Sequence, residues 1–97
     1  MTAVGVTVIL KVKEGKEQEF EKVFAQLASQ VQANEPGNIF YEVMRVTDDS
    51  RSYVVMEKYK NEEARVTHSK SAHFIEAQPL IGPLLDGRPI VHRLVNL

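Results

Sequence analysis

Cysteine and tryptophan are both absent from this chain of 97 residues. Without thiols there is no disulfide framework, no thiolate metal site and no cysteine nucleophile. An excess of one charge is also missing. Twelve Lys and Arg against 13 Asp and Glu leave a net charge of −1, which offers no electrostatic hold to nucleic acid or an anionic membrane. No apolar run approaches the roughly 20 residues that a membrane span needs. The opening Met1-Thr2-Ala3-Val4 lacks the charged stretch and small-residue cleavage site of a secretory leader, so a cytoplasmic location is expected. Repeats and low-complexity stretches are lacking too. What remains is one domain, 1–97, near the lower end of what buries a self-sufficient core.

Alternation and helical spacing divide this length clearly. Val4, Val6, Val8, Leu10 and Val12 alternate with Gly5, Thr7, Ile9 and Lys11, as in a strand. From Lys16 to Ala33 the period lengthens, and Phe20, Val23, Phe24, Leu27 and Val31 form one helical stripe opposite Glu17, Glu19, Glu21, Lys22 and Gln26. Pro36 biases Glu35 away from helical geometry and Gly37 frees the turn, so the helix stops there. Strands are predicted over 39–46 and 52–59, joined by the polar turn Thr47-Asp48-Asp49-Ser50-Arg51. Asn61 caps a helix running to about His68, and Ser71 caps another through Phe74, Ile75 and Ala77. Pro79 and Pro83 should interrupt any continuation of that helix, and a last strand is predicted over 90–97. The order is β-α-β-β-α-β, an α+β ferredoxin-like fold with an antiparallel sheet.

Both faces of that sheet carry apolar residues. Phe40, Met44 and Val46 oppose Ile39, Tyr41 and Val43. Val54 and Met56 oppose Tyr53, Val55 and Tyr59, and Ile90 and Leu94 oppose Val91, Val95 and Leu97. Helices cover one face, and no spare segment covers the other. A second copy, sheet against sheet, is the expected cover.

Chemistry concentrates at the junction after the third strand. Glu57, His68 and His73 fall within seventeen residues. A carboxylate among apolar strand residues is costly unless paired or protonated. Glu57 is therefore either a cavity-lining acid or base, or one half of an ion pair with Arg45, Arg51 or Arg93. With Ser71 as cap, His73 sits in a first helical turn, where the positive helix end favours neutral imidazole, a candidate base. Its alternative is to bond the helix start or pack on Phe74. On one straight helix His68 and His73 would point about 140° apart. Only a break at Ser69-Lys70-Ser71 lets both face inward. The spacing of Glu57, His68 and His73 matches no ligand motif, so no metal is expected. His92 reads as a surface or interface residue.

Several stretches resemble the antibiotic biosynthesis monooxygenase superfamily of small dimeric α+β-barrel proteins, which includes quinol monooxygenases. They are Glu35-Pro36-Gly37 before Tyr41-Glu42, the strand Tyr53-Val54-Val55-Met56-Glu57-Lys58-Tyr59, the segment from His68 to His73-Phe74, and Pro83-Leu84-Leu85. The resemblance implies a monooxygenase with no cofactor that oxidises a small aromatic or quinol-like substrate with dioxygen. His73 would be the base, with His68 or Glu57 orienting it, and Tyr41, Tyr59, Phe74, Met56 and Leu27 would form the wall. Anthrone-oxidising and haem-degrading relatives use a tryptophan, often where Tyr59 stands here, and an asparagine missing from this first strand. Those two activities are disfavoured. The alternatives are an enzyme enolising or isomerising a small signal-type carbonyl compound, and a dimer that binds a small ligand without turnover.

Overall fold

In the computed structural model, which describes residues 2–97, the first alternating run is strand β1 (Val4–Lys11). Met1, included in the expected domain, lies outside the described residues. Helix α1 (Glu17–Asn34) buries Phe20, Phe24, Leu27 and Val31, the predicted stripe. Strands β2 (Asn38–Arg45) and β3 (Ser52–Tyr59) form the hairpin. Helices α2 (Glu62–Ser69) and α3 (Ala72–Ile81) come next, then a 3-10 turn over Gly82–Leu84 and strand β4 (Ile90–Val95). The sheet runs β2-β3-β1-β4 with every pair antiparallel, the ferredoxin-like α+β arrangement. Among the described residues no helix is long and apolar enough to cross a membrane.

The second helical region is two helices, capped by Asn61 and Ser71 as expected, with the chain turning at Lys70-Ser71. Two local details differ from the pattern expected of the sequence. Pro79 does not stop α3, which continues to Ile81. The missing amide removes one bond, while Ala77 and Ile81 stay buried on the side that packs against α1. Ile39 sits at a register shift in β2 and is more than half exposed, so it does not share the inward face of Tyr41.

The strand alternation sorts the sheet's two faces. Tyr41 and Val43 of β2, Tyr53, Val55, Glu57 and Tyr59 of β3, and Val6, Val8 and Leu10 of β1 face the helices. On the far side the register sets Met44, Val54, Ile9 and Ile90 in one row across all four strands. Asp49 fastens the hairpin to β1. Its carboxylate accepts from Lys11 Nζ at 2.6 Å, from Ser52 Oγ at 2.7 Å and from the Arg51 amide at 3.0 Å. The Lys11 bond, followed by that of Ser52, holds its carboxyl well below the usual carboxylate range.

The turn after α1 sets the position of α2. Glu35 is extended at φ −120° and ψ 89°, as the residue before Pro36 must be, while its amide still bonds Val31 O. Gly37 then runs against α2, and its carbonyl accepts from Lys60 N at 2.9 Å. A Cβ on Gly37 would stand 2.6 Å from the Ala64 Cβ, closer than two methyl groups can approach. Gly37→Ala should therefore push α2 off the turn and cost about 1–3 kcal/mol, the usual scale of overpacking. Denaturant titration checks this, and Ala64→Gly added to Gly37→Ala should recover part of the loss.

Candidate active site

Glu35, at the end of α1, is turned inward and buried. Its Oε2 meets two rings, His68 Nδ1 at 2.9 Å and His73 Nε2 at 2.5 Å. His68 comes from the last turn of α2 and His73 from the first turn of α3. The Ser71 cap makes the turn between them. Its Oγ donates to His68 O at 2.7 Å and accepts from Phe74 N at 3.3 Å. The break between the helices brings both histidines to one carboxylate.

His68 is enclosed by aromatic rings. Its centroid lies 5.2 Å from Tyr41, 5.5 Å from Tyr59 and 4.7 Å from Phe74. Its Nε2 is 4.0 Å from Glu57 Oε1 and has no hydrogen-bond partner among the described residues. Glu57 accepts the Tyr59 hydroxyl at 2.6 Å. No pair of Glu57 with Arg45, Arg51 or Arg93 forms among the described residues. Arg45 stands against Glu21, and Arg51 against Asp86. Burial pushes the Glu57 carboxyl up, and the Tyr59 bond and His68 pull partly against it. Burial and the facing carboxylates raise the Tyr41 and Tyr59 hydroxyls far above their ordinary value, so both stay protonated donors.

Beside this cluster, between the sheet and helices α1 and α3, lies an apolar cavity of about 330 Å³. Leu27, Tyr41 and Phe74, all named from sequence, line it together with Phe24, Val55 and Ile81. Glu57 is the one carboxylate on its wall, and Gln78 adds an amide. Met56 does not contribute. It alternates with Val55 and Glu57 on β3 and faces the far side of the sheet, which corrects the sequence expectation. Tyr59 is fully buried beneath Glu57 and His68 rather than on the wall. His73 borders a separate shallow hollow with Gln26, Gln30 and Glu76. Its side chain is 12% exposed against 5% for His68, so it marks the solvent side of the cluster. His92 lies on β4 in an exposed position. Glu35 is missed as a site residue by sequence reasoning, which sees in it part of a helix stop and of the Glu35-Pro36-Gly37 stretch. Its signal is an acid placed just before Pro36, where the chain must leave the helix.

Known proteins share this fold. The family model described as antibiotic biosynthesis monooxygenase matches residues 3–80. A Bacillus subtilis protein named "Putative monooxygenase YcnE" is 34% identical over 65 residues, 67% of each chain. A solved Caulobacter crescentus structure, described as a putative antibiotic biosynthesis monooxygenase, is 36% identical and superposes with a TM-score of 0.95. That match covers 99% of this chain and 91% of the other. A conserved protein from Methanosarcina mazei is 29% identical, with a TM-score of 0.89 over 96% of this chain and 91% of its own.

The raised Glu57 carboxyl makes stability depend on pH in a defined direction. The unfolded chain releases this proton near 4.5, the folded chain at higher pH. Below 4.5 both states hold it and the carboxyl costs nothing extra. As pH rises from there through the folded value, the wild type loses stability. Thermal melts of wild type and Glu57→Gln between pH 4 and pH 8 should show the Gln variant gaining on the wild type as pH increases. A constant difference in Tm would contradict the burial described here.

Proposed function

This chain belongs to the antibiotic biosynthesis monooxygenase family, and we propose that it oxidises a small electron-rich aromatic, of quinol or related phenolic type, with dioxygen. The observation that carries this reading is Glu57, the one carboxylate on the wall of an apolar cavity of about 330 Å³. Such a cavity accepts a flat hydrophobic molecule, which displaces water from the apolar wall as it binds. A buried carboxylate with raised proton affinity is suited to take a hydroxyl proton from a bound phenol near neutral pH.

The chemistry proposed needs little more from the chain. Glu57 removes the hydroxyl proton, and the resulting electron-rich anion is the species that reacts with dioxygen. One oxygen atom enters the ring and the other leaves as water, with the substrate as its own reductant. Tyr41 and Phe74 supply flat walls for the ring, and the Gln78 amide supplies a donor for a substrate oxygen. Glu57 replaces His73 as the proposed base. His73 Nε2 is engaged by Glu35, and its ring borders the outer hollow instead of the cavity.

A homodimer through the sheet faces belongs to the same proposal. Ile9, Met44, Ile90 and Leu94 stand 40–55% exposed on the face away from the helices. The first three share one row with Val54. A contiguous apolar surface of this kind is what a second copy would cover.

Oxygen uptake against a panel of quinols and anthrones tests the reaction. At least one compound should be consumed with uptake that rises with pH as Glu57 ionises. Glu57→Gln should lower kcat by about 10²-fold or more, the usual scale for losing a general base. Unchanged uptake by Glu57→Gln would remove Glu57 from the mechanism. For the assembly, light scattering at micromolar concentration should give twice the 11.0 kDa of one chain. A particle of 11.0 kDa would rule the dimer out.

A further inference from the structure

A carboxylate has no hydrogen to give, so each ring nitrogen facing Glu35 Oε2 must carry one. Those nitrogens are Nδ1 of His68 and Nε2 of His73. For a neutral His68 the other nitrogen, Nε2, is then a bare lone pair. It is buried and has no partner among the described residues. The nearest acidic oxygen is Glu57 Oε1, 4.0 Å away. Tyr41, Tyr59 and Phe74 pack around the ring and hold it in this orientation. A lone pair aimed at a carboxylate is unfavourable unless a proton comes between them.

The geometry points to a proton relay in which Glu57 passes the proton it takes in the cavity to Nε2 of His68, with Glu35 as the positioning residue that keeps this nitrogen bare. The inference rests on the reading of Glu57 as the group that accepts the substrate's proton. In the step the Glu57 O–H bond breaks, an N–H bond forms at Nε2, and nothing is oxidised or reduced. Glu57 returns to its carboxylate form. His68 becomes an imidazolium between two carboxylates, where Glu35 stabilises it through the Nδ1 hydrogen bond. The gap between Glu57 and His68, 4.0 Å at rest, has to close by about 1 Å for a hydrogen bond. The groups acting on Glu57 are Tyr59 of β3, His68 and Arg65 of α2, and Glu35 at the end of α1. Tyr41 of β2 also faces it, as a protonated hydroxyl. His73 is the second donor on Glu35 Oε2 and fixes that oxygen from the solvent side.

Glu35, His68 and His73 could also converge on a metal ion, since their donor atoms lie within 4.8 Å of one another. Metal bonds of about 2.0–2.2 Å keep neighbouring ligand atoms roughly 2.9–3.5 Å apart. His73 Nε2 and Glu35 Oε2 stand closer than that, in direct contact and with less separation than two ligands of one ion keep.

Long-range ¹H–¹⁵N correlation spectra of labelled protein read both tautomers without a substrate. At neutral pH the proton should sit on Nδ1 of His68 and on Nε2 of His73. Glu35→Gln presents an amide that can donate to Nδ1, so the Nε2–H form of His68 should appear. If that variant does not fold, His73→Gln, which keeps a donor for Glu35, should fold and leave His68 protonated at Nδ1. A wild-type His68 with its proton on Nε2 overturns the relay. So does one equivalent of Zn²⁺ that shifts the ring signals of both histidines. With any quinol that wild type consumes, Glu35→Gln should lower kcat about 10-fold or more with little change in KM, as loss of a tautomer-setting carboxylate does. Full activity in Glu35→Gln beside an inactive Glu57→Gln overturns the relay and leaves the proposed reaction standing. Absence of oxygen uptake with every compound overturns the reaction and, with it, the relay that rests on it.

Discussion

A buried carboxylate with two imidazoles on one oxygen is the constraint around which the rest is arranged. Glu35 lies in the interior, where an unpaired charge would cost several kcal/mol. Its two partners come from different helices. α1 must therefore end where it does, α2 must stop at Ser69, and α3 must start at Ala72 with its first turn pointing back. Moving any of the three would leave a charge or a ring nitrogen stranded. The helix break at Lys70-Ser71, which looks like an irregularity in one long amphipathic segment, is the device that meets this demand.

Strand β3 contributes the other half through its period of two. Tyr53, Val55, Glu57 and Tyr59 all point to the helices. The same face thus supplies core, cavity wall and the acid within one strand. Tyr59 lies directly behind Glu57 and gives it a hydrogen bond that needs no water. The polar residues of the site are therefore fixed by regular structure rather than by mobile loops.

The element order, the Asn61 and Ser71 caps, the stripe of α1 and the inward face of β3 are legible in the sequence. All are local signals, in which residues within one turn or one strand specify one another. Glu57 stands out because a charge on an apolar strand has a cost that can be read from its neighbours. Glu35 does not. Its partners are 33 and 38 residues away, and no periodicity connects them. The separation of His73 from the cavity is equally hidden, since it depends on how α3 lies across α1. Met56 misleads for a simpler reason. An apolar side chain suits either face of the sheet, and only the parity of β3 decides between them.

The hydrogen bond from Lys60 N to Gly37 O closes the base of the β2–β3 hairpin. Along the chain Glu35 and His68 are 33 residues apart. Across that closed base the path is about ten residues. Loop-closure entropy scales with the logarithm of length, so forming the hairpin first lowers the cost of joining them by about 1 kcal/mol. With the hairpin in place the tether is short, and an acid and an imidazole distant in sequence become near neighbours along it.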